Sequence, residues 1–129
     1  MKGRLCFTIP YPGKMKDFSK RYGLNSIYSG KHWSQRKADS DYWHAIVYYQ
    51  LMKQFPDAEL FESPVCIIFS WNDRLDCSNH AYLGKMIEDA MKGILIRDDS
   101  RKYVQEIRHR FHEKPYILVE VREENEKTE

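Results

Sequence analysis

Apolar residues recur along this chain with three different spacings. Residues 4–9 alternate, Leu5, Phe7 and Ile9 against Arg4, Cys6 and Thr8, the period of two that marks a strand. Pro10-Tyr11-Pro12-Gly13 stops it. Residues 64–71 form an unbroken apolar run, Pro-Val-Cys-Ile-Ile-Phe-Ser-Trp, which predicts a strand buried on both faces. Between the two, Ser34 is placed to cap a helix that ends near Gln54. Its Ala38, Tyr42, Ala45, Ile46, Tyr49 and Met52 recur at helical spacing and predict one core-facing stripe. A second helix over residues 80–92 carries Leu83, Met86, Ile87, Ala90 and Met91 on one side. Lys85, Glu88, Asp89 and Lys92 lie on the other. Gly93 suits the position just past its end.

The last third reads as a hairpin. Residues 102–112 alternate Tyr103, Ile107 and Phe111 against Arg108, Arg110 and His112. Glu113-Lys114-Pro115 turns the chain, and residues 116–121 return it. The Gly- and Ser-dotted stretch to Gly30 is expected to be a loop of roughly 17 residues, long enough to suggest a function. The order β-α-β-α-β-β predicts an α/β (α+β) fold, a small mixed sheet with two helices packed on it. One domain over residues 1–121 is expected, followed by an acidic, disordered tail at 122–129.

Charge and composition narrow the field. A chain of 129 residues fits a single domain. No window approaches the ~20 apolar residues of a membrane span, and Met1-Lys2-Gly3-Arg4 opens no apolar leader. Three widely spaced cysteines, Cys6, Cys66 and Cys77, fit reduced thiols in the cytoplasm. Net charge is only +2, but the ten residues from Glu120 hold five acids against two bases. Lys14, Lys16, Lys20, Arg21, Lys31, Arg36 and Lys37 make the first half basic, which suits a polyanionic partner. Tyr22, Tyr28 and Trp33 are candidates for stacking on unpaired bases. His109 and His112 are expected on opposite faces of a strand, and no cysteine pair has ligand spacing, so a structural zinc site is not expected.

The candidate chemistry is acidic. Asp73, Asp76, Ser78 and Asn79 follow the buried strand, Lys85 and Asp89 lie one turn apart on the helix after it, and Asp98-Asp99 follow Ile94-Leu95-Ile96. Converging carboxylates repel one another, and a hard cation such as Mg²⁺ relieves that repulsion while polarising a phosphoryl oxygen or activating water. A nearby lysine neutralises charge that develops in the transition state. Each feature alone also has an ordinary reading: a turn, a helix cap, a surface ion pair one helical turn long.

Taken in order, Asp76-Cys-Ser-Asn79, Lys85-x-x-x-Asp89 and Asp98-Asp99 after a glycine-containing link resemble the signature of the RusA family. These are Holliday junction resolvases often carried by prophages. The resemblance extends to Phe7-Thr-Ile-Pro-x-Pro12 and Asn25-x-x-Tyr28, so it covers most of the chain. It implies a homodimeric, Mg²⁺-dependent endonuclease, with Mn²⁺ as a substitute, that resolves four-way DNA junctions by paired phosphodiester hydrolysis. Asp76, Asp99 and Lys85 correspond to the family's catalytic residues, with Asp76, Asp98 and Asp99 holding metal. Asp73, Ser78, Asn79 and Asp89 would support them, and Lys31, His32, Arg36, Lys37, Arg108 and Arg110 would grip DNA. Two positions depart from the pattern: Ser78 stands where the family has an Asp, and Lys85 comes three residues late, close to one helical turn. Two alternatives stay open, a catalytically weak DNA-binding protein and a protein-interaction module with no nucleic-acid role.

Overall fold

The computed structural model describes residues 3–124. Four strands form one mixed sheet: β1 (Arg4–Pro10), β2 (Val65–Trp71), β3 (Val104–Phe111) and β4 (Tyr116–Glu123), in the order β1-β4-β2-β3. β2 runs parallel to β3, and β4 runs antiparallel to both β1 and β2. Four helices accompany the sheet: α1 (Met15–Tyr22), α2 (Leu24–Tyr28), α3 (Trp33–Gln54) and α4 (Ala81–Met91), the last preceded by a 3-10 turn, Cys77–His80. The expected α+β class is therefore present, with four helices where two were expected.

Alternation decides which sheet face is covered. Phe7 and Ile9, Ile67, Phe69 and Trp71, and Ile117, Val119 and Val121 join one buried cluster. Trp43, Val47 and Leu51 of α3 and Leu83, Ile87, Ala90 and Met91 of α4 complete it. On the other face, Cys66, Ile68 and Ser70 of β2 are also buried. Charged side chains surround them: Arg110 Nε reaches Ser70 Oγ at 3.2 Å, and Arg4 Nε lies 2.7 Å from Glu120. Arginine stems cover apolar surface while their heads stay in water. Thus β2 is buried on both faces, as its composition predicts, although helices cover only one.

Four local expectations are corrected. Residues 15–28 are two helices rather than a loop; Phe18 and Tyr22, four apart, enter the core. The buried positions of α3 are Asp39, Trp43, Val47 and Leu51, while Tyr42 and Tyr49 of the expected stripe are exposed. Ser34 does not cap α3; His32 does, its Nδ1 accepting from the Ser34 N–H at 3.1 Å. Finally, β3 and β4 are antiparallel but unpaired, because β2 lies between them. A strand as apolar as β2 needs a partner on each edge, and residues 112–115 cross its end, where Asn72 Nδ2 donates to Lys114 O at 2.9 Å.

At the far edge, the Gln54 side chain holds β1. Its Oε1 accepts from the Thr8 N–H at 3.0 Å and its Nε2 donates to Thr8 O at 2.9 Å, so this edge is closed by a side-chain amide instead of another strand. β4 runs to Glu123, two residues past the expected domain limit, and the Glu123 N–H donates to Gly3 O at 2.9 Å. The rest of the expected acidic tail, 125–129, lies outside the described residues. No helix among the described residues is long and apolar enough to cross a membrane.

Candidate functional site

The segment that leaves β2 is mounted on a buried polar knot. Asp73 accepts hydrogen bonds from Tyr11 Oη at 2.7 Å, from the Leu75 N–H at 3.0 Å and from His80 Nε2 at 2.8 Å. His80 Nδ1 lies 3.0 Å from Cys77 O. Both ring nitrogens of His80 thus face acceptor oxygens. Burial alone would raise the Asp73 carboxyl, but the bonds from His80, Tyr11 and Leu75 outweigh it and hold it below the ordinary carboxylate range. The His80 ring stacks on Trp71, with centroids 4.3 Å apart, and Trp71 Nε1 donates to His109 Nδ1 at 3.1 Å. Burial, helped by the neighbouring His80, pushes His109 down, consistent with a neutral ring that accepts at Nδ1. Asp73, expected to assist a metal, is therefore committed to holding the turn.

On that base the 3-10 turn presents Asp76, Cys77 and Ser78 to solvent, with Asn79 half-buried. The Asn79 N–H donates to Asp76 O at 3.0 Å, and the Asp76 side chain makes no capping bond. Neither Ser78 nor Asn79 caps α4, whose N-cap is His80.

The helix that follows carries Lys85 toward a second group of acids. After α4 the chain reverses tightly: Gly93 takes φ +83° as the residue past the helix end, and the Leu95 and Ile96 N–H groups reach back to Met91 O. Leu95 and Ile96 are buried, which brings Asp98 and Asp99 alongside the polar side of α4. There Lys85 Nζ donates to Asp99 and, at 3.0 Å, to Asp89. Lys92 Nζ lies 3.5 Å from Asp89, 3.5 Å from Asp99 and 3.9 Å from Asp98. The Lys85 hydrogen bond holds the Asp99 carboxyl down to about 2, and Asp99, against the pull of desolvation, raises the Lys85 ammonium. Lys92 was expected only as part of a solvated face, yet it is the second cation of this group. Glu88, expected on that face too, is buried, which raises its carboxyl.

Asp76 stands apart from this group for a topological reason. It follows the C-terminal end of β2, whereas Asp98 and Asp99 precede β3, whose first residue Val104 is level with Val65 at the start of β2. Parallel strands put the two acidic segments at opposite ends of the pair, with α4 running between them. Among the described residues, the one set of three ligand-type side chains whose donor atoms lie within 4.8 Å of each other is Cys66, Glu106 and Glu124. The expected metal set Asp76, Asp98 and Asp99 is thus gathered only in its Asp98–Asp99 half. Cys66, Glu106 and Glu124 sit on the helix-free sheet face, where burial pushes the Cys66 thiol up to about 11. Unless a metal ion displaces its proton, that thiol is protonated near neutral pH.

The expected DNA-binding residues divide between two sides. Arg108 and Arg110 lie on the helix-free face, Arg108 Nε 2.9 Å from Glu106 and Arg110 by Ser70. His32, Arg36 and Lys37 lie at the start of α3; Lys37 pairs with Asp41 at 2.9 Å. Lys31 is not free to grip phosphate. Its side chain is 7% exposed, with Nζ 2.5 Å from Asp39 and 2.6 Å from Arg21 O. Asp39 is fully buried, and it also binds Arg21 Nε and Tyr82 Oη, each at 2.7 Å. This knot, which ties α1 and the α2–α3 junction to α3 and α4, had no sequence signal beyond an acid amid aromatic residues.

No family model matches the chain, and no curated protein matches it.

Proposed function

We propose that the chain is a Mg²⁺-dependent endonuclease for branched DNA, similar to the RusA resolvases, acting as a cytoplasmic homodimer on four-way junctions. The observation that carries this reading is the meeting of Lys85 with Asp99, fourteen residues apart, beside Asp89 and Asp98. That grouping is what the family resemblance implies, and nothing in helix periodicity alone demands it. Mg²⁺ is commonly held by one or two carboxylates, with waters and substrate phosphate filling its remaining positions. The hard oxygens of Asp98 and Asp99 fit that requirement. Asp76, on the exposed turn, is the further acid the resemblance implies.

A bound Mg²⁺ would supply Lewis-acid polarisation of the scissile phosphate. The side chains have separate work. Lys85 donates hydrogen bonds and one positive charge where phosphoryl oxygens become more negative, and Asp89, one turn along α4, aims it. The Asp73–His80 knot fixes the turn that carries Asp76. Two symmetric nicks need two sites, and a twofold dimer matches the symmetry of a junction; the exposed Tyr42, Tyr48 and Tyr49 of α3 offer apolar surface for a second copy.

A second reading keeps the DNA and drops the reaction. Ser78 in place of a carboxylate, together with the separation of Asp76 from Asp98 and Asp99, favours a weak or inactive site on a DNA-binding protein. Junction cleavage in Mg²⁺ against chelator decides between them. The nuclease reading expects cleavage that Asp76→Asn and Asp99→Asn each abolish. Tight, salt-sensitive binding without cleavage in Mg²⁺ or Mn²⁺ selects the second, and no binding at low salt leaves only a protein-interaction module.

A further inference from the structure

α1, α2 and the start of α3 border a shallow, open polar depression of about 420 Å³, lined by Lys20, Arg21, Ser26, Ser29, Gly30, Lys31 and Gln35. Three of the lining side chains, Lys20, Arg21 and Lys31, are cations, and no lining residue is an acid. Asp39 takes Arg21 Nε at 2.7 Å and Lys31 Nζ at 2.5 Å, so one charge is shared between two, and Lys20 adds another. The Ser26 and Ser29 hydroxyls donate to backbone carbonyls, at 2.8 Å to Gly23 O and 3.0 Å to Asn25 O. They shape the wall. The donors left for a ligand are the Lys20 ammonium, the outer nitrogens of Arg21 and the Gln35 amide. Such a set suits an oxyanion with several acceptor oxygens.

Two exposed aromatic side chains adjoin the pocket's lining residues in the sequence. Tyr28 adjoins Ser29, and Trp33 comes two residues after Lys31; they are 78% and 64% exposed. The other two tryptophans, Trp43 and Trp71, are completely buried. The Trp33 ring is backed on one side by His32, with centroids 5.7 Å apart. Cations that track phosphate beside aromatic faces on which bases stack are the general means of holding single-stranded nucleic acid. A stacked duplex keeps its bases from such a platform.

We propose that this corner binds an unpaired nucleotide of branched DNA, its phosphate among Lys20, Arg21 and Gln35 and its base on Trp33 or Tyr28. The inference rests on the DNA-directed reading above and deepens it: selectivity for branched DNA would come from capturing a nucleotide that has left the stack at the branch point.

The test measures binding in chelator, so that cleavage plays no part. Because Trp43 and Trp71 are buried, quenching of tryptophan fluorescence by an oligothymidylate reports on Trp33. We expect quenching by the single strand and not by a blunt duplex of equal length. Trp33→Ala should abolish it and weaken single-strand binding, followed by polarisation of a labelled strand, about tenfold. Trp33→Phe should restore most of the affinity. Lys20→Ala, at an exposed position, should lower the slope of log K against log salt by about 0.7. Unchanged affinity in Trp33→Ala, an unchanged salt slope in Lys20→Ala, or equal quenching by duplex would each overturn the proposal. Junction cleavage in Mg²⁺ that is indifferent to Trp33 would sink this inference and leave the nuclease standing. Trp33-dependent binding without cleavage would do the reverse.

Discussion

Two acid–base pairs flank the same stretch of chain, and they differ in almost every physical respect. The Asp73 and His80 side chains are both fully buried, the His80 ring is stacked on Trp71, and each polar side-chain atom of the pair has a partner. Lys85 and Asp99 are 56% and 21% exposed and share their charges with Asp89, Asp98 and Lys92. Removing one partner of a buried pair strands a desolvated charge, whereas an exposed pair loses little because water replaces it. The first pair therefore belongs to stability. The second is partly open to solvent at small cost to the fold, as the proposed chemistry would need.

The largest expected effect falls on the buried pair. Asp73→Ala leaves His80 without its carboxylate and Tyr11 without its acceptor, and should cost about 3–5 kcal/mol in urea unfolding. A loss under 1 kcal/mol would mean that the knot is dispensable. Next comes the contact that seats α4 on the sheet. A Cβ at Gly84 would stand 2.9 Å from His109 Cε1, and that ring is stacked against Phe69 at 5.3 Å. Gly84→Ala should then destabilise by about 1–3 kcal/mol, despite alanine's better helix propensity; a gain in stability would show that the ring moves freely.

Acid titration separates the pairs in another way. The Asp73 carboxyl is held below its ordinary value near 3.8. A carboxylate depressed in the folded state contributes stability that is complete above its unfolded value and fades as pH falls through the folded one. Wild-type protein should lose stability as pH drops below about 4, and Asp73→Asn, already weakened, should show a shallower acid limb. Asp99, held down to about 2, has the same sign, but its side chain is 21% exposed and that of its partner Lys85 56%, so water screens the pair and Asp99→Asn should leave that limb nearly as steep as in wild type.

The contrast also explains which parts of the molecule were legible in the sequence. Alternation in β1, the unbroken apolar run of β2, the stripe of α4 and the turn at Gly93 each have one physical solution, and each appears as expected. The face of α3 did not have one. Ala38, Tyr42, Ala45 and Tyr49 satisfy helical spacing as well as Trp43, Val47 and Leu51 do, so spacing alone does not choose between the two sides. What buries Asp39 is Arg21, Lys31 and Tyr82, partners supplied by other elements. Likewise, a three-residue turn implies pairing of β3 with β4 until β2, which needs two neighbours, is inserted between them. Lys85 and Asp99 were legible only through the family resemblance, which the helix and tight reversal between them accommodate. Asp76 was not, because its distance from Asp99 depends on β3 lying parallel to β2.

The smallest expected change in stability carries the most weight for function. Asp99→Asn removes one of three carboxylates around Lys85 and Lys92, leaving Asp89 and Asp98 to receive both ammonium groups. Exposed pairs of this kind contribute about 0–1 kcal/mol, so the unfolding midpoint should barely move. If the group serves phosphodiester hydrolysis, the same substitution should abolish Mg²⁺-dependent cleavage while junction affinity in chelator stays near wild type, since phosphate is gripped elsewhere. Lys85→Ala should share that pattern, and Lys92→Ala should fall between it and wild type, because Lys92 touches the same acids at longer range. A variant series in which cleavage tracks stability, or in which Lys92 matters as much as Lys85, would reduce this group to an ordinary solvated ion-pair cluster. It would then differ from the Asp73–His80 knot only in exposure.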